Sequence, residues 1–418
     1  MPPSFSQRRA RSASSWLSRY ARSIAIALGC ASLLPASAAE LGAKPAPNPE
    51  LERLVDDVCR KPVVVLGEDS GHGAGNSIAT KVSLVERLID RCGFSAVLFE
   101  SPIYDFVDLE RSYAAGTAEP SQLADAVGAI WSATREFDPL VDYLHRKAAT
   151  GKIRLGGIDF QPTSATSAYE HRRLAADLAR QLPDPDRNRC ENEIDRHTNW
   201  RYSDQSPYDN AALERLRACA NSIEARLNSA SRSELAQRDA LMAANLSQYF
   251  QFQNPAGTPD ASLRDLAMYE NVVWYRAHLP SNAKIIVWCA TIHGIKQSRF
   301  PAGRKNMGSR LHELLGDRLA VIGFSALSGN YGRQKQQTLA PASPDSLEAR
   351  VFADSLNRGV RYLGVEELRQ FGTVSARAIS YSASEKADWS GLVDGLIVLG
   401  QERPVEIIRE AKPRQTER

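Results

Sequence analysis

Residues 62–99 read PVVVLGEDSGHGAGNSIATKVSLVERLIDRCGFSAVLF, and this stretch decides the fold. Pro62–Gly67 is a short β-branched run, apolar at consecutive positions rather than alternate ones, as a strand covered on both faces must be. Val82, Val85, Leu88 and Ile89 then recur at helical spacing within Ser77–Cys92. Ser95–Phe99 is a second apolar run of the first kind. Strand, helix and strand in about 40 residues make a βαβ unit.

Four further runs have the same character: Ile153–Ile158, Lys284–Cys289, Leu319–Phe324 and Gly395–Leu399. The expected class is therefore α/β, with a mostly parallel sheet flanked by helices. Between 163 and 280 the strand signals vanish. Leu213, Leu216, Ala220, Ile223 and Leu227 step as one amphipathic helix. Ser231 and Glu234 suit a capping box opening the next, and a third runs from Ser262 to His278. This region reads as a helical insertion or subdomain over the strand carboxyl ends. The α/β domain spans 39–402, and the charged, proline-containing tail 403–418 is expected to fray.

The leader has its own signature. Arg8, Arg9, Arg11, Arg19 and Arg22 precede the apolar run Ile24–Leu34, which is followed by Pro35 and Ala36-Ser37-Ala38. A basic head, an 11-residue apolar stretch and an A-x-A site form a secretory signal, cleaved after Ala38. The run is short of the roughly 20 residues needed to span a bilayer. Export places the protein in the periplasm or outside the cell. The whole chain carries 52 basic and 49 acidic residues; losing five arginines and no acid leaves 47 against 49. The apparent basicity belongs to the leader, so neither nucleic acid nor an anionic membrane is an expected partner.

Cleavage also removes Cys30 and leaves five cysteines in an oxidising compartment, where disulfides persist. Cys59 and Cys92 each lie two to four residues before an apolar strand, a matching position if those strands are neighbours. Cys190 and Cys219 bracket a polar loop in the helical region, and Cys289 is left over in a strand. Spacing alone proves no connectivity.

Open parallel sheets bind ligands beyond the carboxyl ends of their strands. Here those ends carry chemistry. The first strand runs into Gly67-Glu68 and the turn Gly71-His72-Gly73-Ala74-Gly75; the second ends in Glu100, the third in Asp159; the fourth leads to Thr291-Ile292-His293-Gly294. His72, four residues after Glu68 and outside any core pattern, suits a general base that activates water. His145, His171, His197, His278 and His312 fall in polar helical contexts and read as surface. No G-x-S-x-G elbow, H-E-x-x-H, C-x-x-C or Walker loop is present. Asn76 stands where a dinucleotide fingerprint wants glycine.

Taken in order, VVVLGEDSGHGAGNSIATK (63–81), GFSAVLFES (93–101), GGIDFQP (156–162), RDLAMYENVVWY (264–275), KIIVWCATIHGIK (284–296), NMGSRLHELLGDRLAVIGF (306–324) and VDGLIVLG (393–400) resemble the erythromycin esterase family. The resemblance covers nearly all of the chain after the leader. It implies a hydrolase that opens macrolide lactones without a resident metal or with a weak metal link. His72 matches the water-activating histidine, Glu68 and Glu100 two glutamates, Lys81 a basic position and His293 the second histidine of a W-x-H-N-x-H run. Asp159, Arg264, Asp265, Glu270 and Asn271 match cleft or framework positions. The chain departs from the pattern at Asn76, where the family has glutamate, and at Ala290 and Thr291, where it has histidine and asparagine.

The expected activity is cleavage of a small-molecule ester or lactone with His72 as base and Glu68 orienting it. Glu100 joins them in the catalytic set, and Lys81 and His293 stabilise the oxyanion. Lys81, Asp159, Arg264 and Glu270 are expected to bind substrate. Two alternatives differ in class. One is a divalent-metal hydrolase or peptidase with Glu68, His72, Glu100 and His293 as ligands. The other is a non-catalytic binding protein on the same scaffold. Neither substrate nor oligomeric state is legible.

Overall fold

The computed structural model describes residues 48–408 apart from 163–168, 199–207, 230–232, 254–259, 302 and 354–358. The leader 1–38, Ser231 and residues 409–418 lie outside the described residues. Among the described residues the strands are β1 (Val63–Leu66), β2 (Ala96–Pro102), β3 (Arg154–Asp159), β4 (Ile285–Trp288), β5 (Leu319–Ala326), β6 (Asn330–Tyr331), β7 (Gln337–Thr338), β8 (Val360–Gly364), β9 (Thr373–Ser380), β10 (Ala383–Asp388) and β11 (Gly395–Leu399).

Seven of them form one sheet in the order β3-β2-β4-β1-β5-β11-β8. All its pairings are parallel except the edge pair β11–β8. The consecutive apolar residues of the sequence are explained by two cores, one on each face. Val63 and Val65 enter one, and Val64 and Leu66 the other. The six runs read from sequence supply the six parallel strands. β8 and the ribbon β9–β10 escaped that reading because they are edge or hairpin strands with polar positions: β10 is Ala-Ser-Glu-Lys-Ala-Asp, largely exposed.

The helix Gly75–Cys92 buries Ile78, Val82, Val85, Leu88 and Ile89 and stops at Gly93, whose φ of 71° closes the last turn onto Ile89 O and Leu88 O. The helices Asn210–Ser229, Glu234–Phe252 and Ala261–His278 share one face's core with β1, β2 and β4. Ser233 caps the second of these by accepting from Ala236 N. The first turn of Ala261–His278 reaches the strand carboxyl ends, and further along Asn271 donates to Ile158 O at 2.8 Å.

Cys59 bonds Cys92 and Cys190 bonds Cys219, while Cys289 is free and buried. The strands that follow Cys59 and Cys92 are not neighbours, because β4 lies between them. Lys284, at the entry to β4, donates to both Cys59 O and Cys92 O at 2.7 Å, so the crosslink spans the root of that central strand. No helix among the described residues is long and apolar enough to cross a membrane.

Two expectations are corrected. The stretch after Glu402 does not fray where it is described: Pro404 bridges Ala74, Ile407 bridges Thr134, and Val405 is buried. Among the histidines read as surface, His197 is buried, with Nδ1 bonded to Glu193 O.

Candidate active site

The strand order sets the site. β3, β2, β4 and β1 are consecutive, so Asp159, Glu100, the Ala290–His293 turn and Glu68 line up along one sheet edge. Within that line the side chains form two adjoining clusters.

The first is built on Glu68, which is fully buried. Its Oε1 lies 2.9 Å from His72 Nδ1 and accepts from Trp131 Nε1 at 2.6 Å. Lys81 Nζ lies 3.5 Å from the other oxygen. Burial raises the Glu68 carboxyl, but Lys81, His72 and the Trp131 indole outweigh it and hold the group below its ordinary value. Glu68 is therefore an ionised acceptor. It fixes His72 Nδ1 as the donor nitrogen, which leaves Nε2 with the lone pair. His72 itself sits at φ 52°, a left-handed conformation uncommon for a residue with a side chain. Its N–H bonds Asp69 O at 3.0 Å, and its ring meets Trp131 edge-on at a centroid distance of 5.2 Å.

The second cluster centres on Glu100. Its Oε2 accepts from Ala290 N at 2.8 Å, and its Oε1 lies 2.8 Å from Arg264 Nη2 and 3.2 Å from His293 Nε2. Arg264 also grips Asp159 Oδ2 through Nε at 2.9 Å and Nη2 at 2.5 Å. His293 Nδ1 faces both oxygens of Asp265 at 3.0 Å. Burial lowers the His293 imidazole, yet Glu100 and Asp265 reverse this and push it up to about 10. Burial likewise raises Glu100, but His293 and Arg264 hold it well below the carboxylate range. The cluster thus sets an imidazolium and a guanidinium against the ionised Glu100, with Asp265 and Asp159 as their further partners.

Of the residues expected at the site, His72, Glu68, Glu100, His293, Asp159 and Arg264 are brought together. Lys81 is corrected from a substrate contact to a sealed one: it is fully buried, bonded to Cys289 O at 3.3 Å and 4.0 Å above the centre of the Trp288 ring. Glu270 is exposed and bonded to Gln248 at 2.6 Å, outside both clusters, so it is not a site residue here. Among the described residues no group of three or more His, Cys, Asp or Glu is placed to hold a metal ion. The four proposed metal ligands fall instead into two pairs, each already holding a cationic side chain.

Sequence reading missed Trp131 and Asn306. Trp131 lies in a four-residue helix, Ala129–Ser132, that carries no motif. Asn306 donates through Nδ2 to Ile292 O, His293 O and Ile295 O, clamping the turn that presents His293. Trp131 lies 63 residues from Glu68, whereas Asn306 lies 11–14 residues beyond the carbonyls it holds.

These features define an α/β protein whose parallel sheet carries a glutamate–histidine pair and a carboxylate-held imidazolium along its carboxyl edge. The family can be stated more closely: the model described as Erythromycin esterase matches residues 89–399, and the chain belongs to that family of hydrolases. YbfO of Bacillus subtilis (strain 168), named as a candidate hydrolase, is 24% identical over 348 residues, covering 74% of this chain and 76% of that protein. A Bacillus cereus protein of known crystal structure superposes with a TM-score of 0.66 at 20% identity, over 86% of this chain and 93% of that one. A mutant of the erythromycin esterase EreC in its open conformation gives 0.60 at 17% identity, over 86% and 95%. At those identities the superpositions establish the fold alone. The family match begins after Glu68, His72 and Lys81, so the reading of those three rests on geometry.

Proposed function

We propose that the protein cleaves a small-molecule ester or lactone by direct attack of water, with His72 as general base. The Glu68–His72 pair carries this reading. Nε2 takes a proton from water as the oxygen adds to the carbonyl carbon, and Glu68 stabilises the resulting imidazolium. The same proton then passes to the departing alkoxide oxygen as the C–O bond breaks. Burial of Glu68 matters, because its attraction for the imidazolium is undiluted by solvent.

The developing oxyanion needs a donor that is not already committed. Lys81 is sealed away, and both His293 nitrogens face carboxylates. Arg264 is the better candidate: Nε and Nη2 are taken by Asp159 and Glu100, whereas Nη1 has no carboxylate partner, lying 3.4 Å from His293 Nε2, and the side chain is 22% exposed. In this arrangement Asp159 and Glu100 aim the guanidinium, and His293 with Asp265 fixes Glu100. Glu100 is thus a positioning residue. A resident metal has less support, since the expected ligands are divided between two clusters.

Purified protein is expected to hydrolyse members of a panel of aryl esters and lactones, and His72→Ala is expected to lower kcat by about 10²–10⁴-fold. Turnover unchanged by that substitution would refute the base assignment. We also propose that the chain is exported and trimmed after Ala38. The two disulfides support this, since such bonds persist in oxidising compartments.

A further inference from the structure

The helix Gly75–Cys92 begins directly after the His72 turn, and its N-cap residue, Ala74, offers no side-chain acceptor. The acceptor comes from far along the chain. Glu402, 1% exposed, places Oε1 at 2.7 Å from Asn76 N and 3.0 Å from Arg403 N. Its Oε2 accepts from Ser77 Oγ at 2.6 Å and Tyr381 OH at 3.1 Å. A carboxylate there satisfies an orphan amide of the first turn and opposes the positive end of the helix dipole.

The residues after Glu402 continue the contact. Gly75 N donates to Arg403 O at 2.7 Å, and Val405 N to Gly73 O at 3.3 Å. Gly73 and Gly75 have no side chain for a steric reason. A Cβ on Gly73 would lie 2.5 Å from the Gly332 backbone, and one on Gly75 2.7 Å from Pro404 O. The glycine-rich turn is thus shaped by close backbone approach rather than by a phosphate. On its other edge the same segment grips Ala133–Glu136. Arg403 pairs with Glu136, Arg135 N donates to Glu406 O at 2.8 Å, and Ile408 N to Ala133 O at 2.9 Å. Trp131, which bonds Glu68, lies two residues before that stretch.

We infer that Glu402–Ile408 is a strap that positions the Glu68–His72 pair, with Glu402 as its key positioning residue: one extended segment pins both the turn carrying His72 and the stretch carrying Trp131. Its catalytic consequence rests on the reading of His72 as base. Small displacements of a base from its near-attack position are costly, so Glu402→Ala is expected to reduce kcat for p-nitrophenyl acetate by about 10²-fold with KM changed less than about twofold. Glu402→Gln retains one acceptor oxygen and is expected to recover part of that loss.

The second readout is the indole N–H signal of Trp131 in two-dimensional ¹H–¹⁵N NMR, which reports the bond to Glu68 without any substrate. Glu402→Ala is expected to move it. If that variant does not fold, Ser77→Ala and Tyr381→Phe each remove one donor to Oε2 and are expected to lower kcat by smaller factors and shift the same signal. A lower Tm with kcat and the Trp131 signal both unchanged overturns the strap. If His72→Ala retains turnover, the base assignment fails instead, and the Trp131 signal alone decides the strap.

Discussion

Asp265→Asn isolates the electrostatics of the second cluster. Asp265 is fully buried and accepts from His293 Nδ1 and from Met307 N at 2.8 Å. The amide keeps its shape and an oxygen for Met307, so the main loss is one negative charge beside an imidazolium. The His293 imidazole is displaced from 6.5 to about 10; at about 1.4 kcal/mol per pH unit, that is about 5 kcal/mol of preference for the charged form. Glu100 is the larger cause and Asp265 the second. Burial is a larger cause and opposes both, so the net displacement does not divide between them; one opposite charge at hydrogen-bond distance shifts such a group by roughly 1–3 pH units, on the order of 2 kcal/mol. A group whose value is raised by folding stabilises fully below its unfolded value and loses that contribution as pH rises through the folded one. The variant's deficit should be about 2 kcal/mol near pH 6 and should close as pH passes about 10. Urea denaturation across that range measures the deficit, and NMR titration of the His293 ring gives its midpoint. A deficit independent of pH, or an unmoved midpoint, would refute the coupling of Asp265 to His293.

Two other outcomes follow from the same structure. Lys81→Met leaves the buried Glu68 carboxylate without its largest stabilising neighbour and is expected to cost about 3–5 kcal/mol; denaturation midpoints within error of wild type would show that Lys81 does not support that charge. The exported protein is expected to begin at Ala39, so Edman sequencing of periplasmic material that begins elsewhere sinks the cleavage assignment.

The residues that were legible early share a physical property: their meaning depends on local context. Glu68, Glu100 and Asp159 each follow an apolar strand, and the strand-end rule alone gathers them at one edge. Lys81 and Glu270 were misjudged because a helix pattern does not say which face meets which neighbour. Lys81 points under the sheet edge to Glu68 and Trp288, while Glu270 points outward to Gln248. The start of the tail, 403–408, was misread because its polar composition resembles that of a solvated end. Its hydrogen bonds go to Gly73, Gly75 and Ala133–Glu136, partners more than 250 residues away.

The sequence by itself determined the α/β class, the six parallel strands, the family and the edge at which the chemistry collects. The family follows from the seven ordered stretches that resemble it, and the rest from short-range patterning: apolar runs, helical spacing and what stands at a strand's end. Only the tertiary structure decided that β4 enters between β1 and β2, and that order is what sets His293 beside Glu100 and leaves Glu68 to His72. It also decided which charges are buried together. A carboxylate's state depends on neighbours a few ångströms away in space, and those neighbours come from parts of the chain whose spacing carries no trace of the contact.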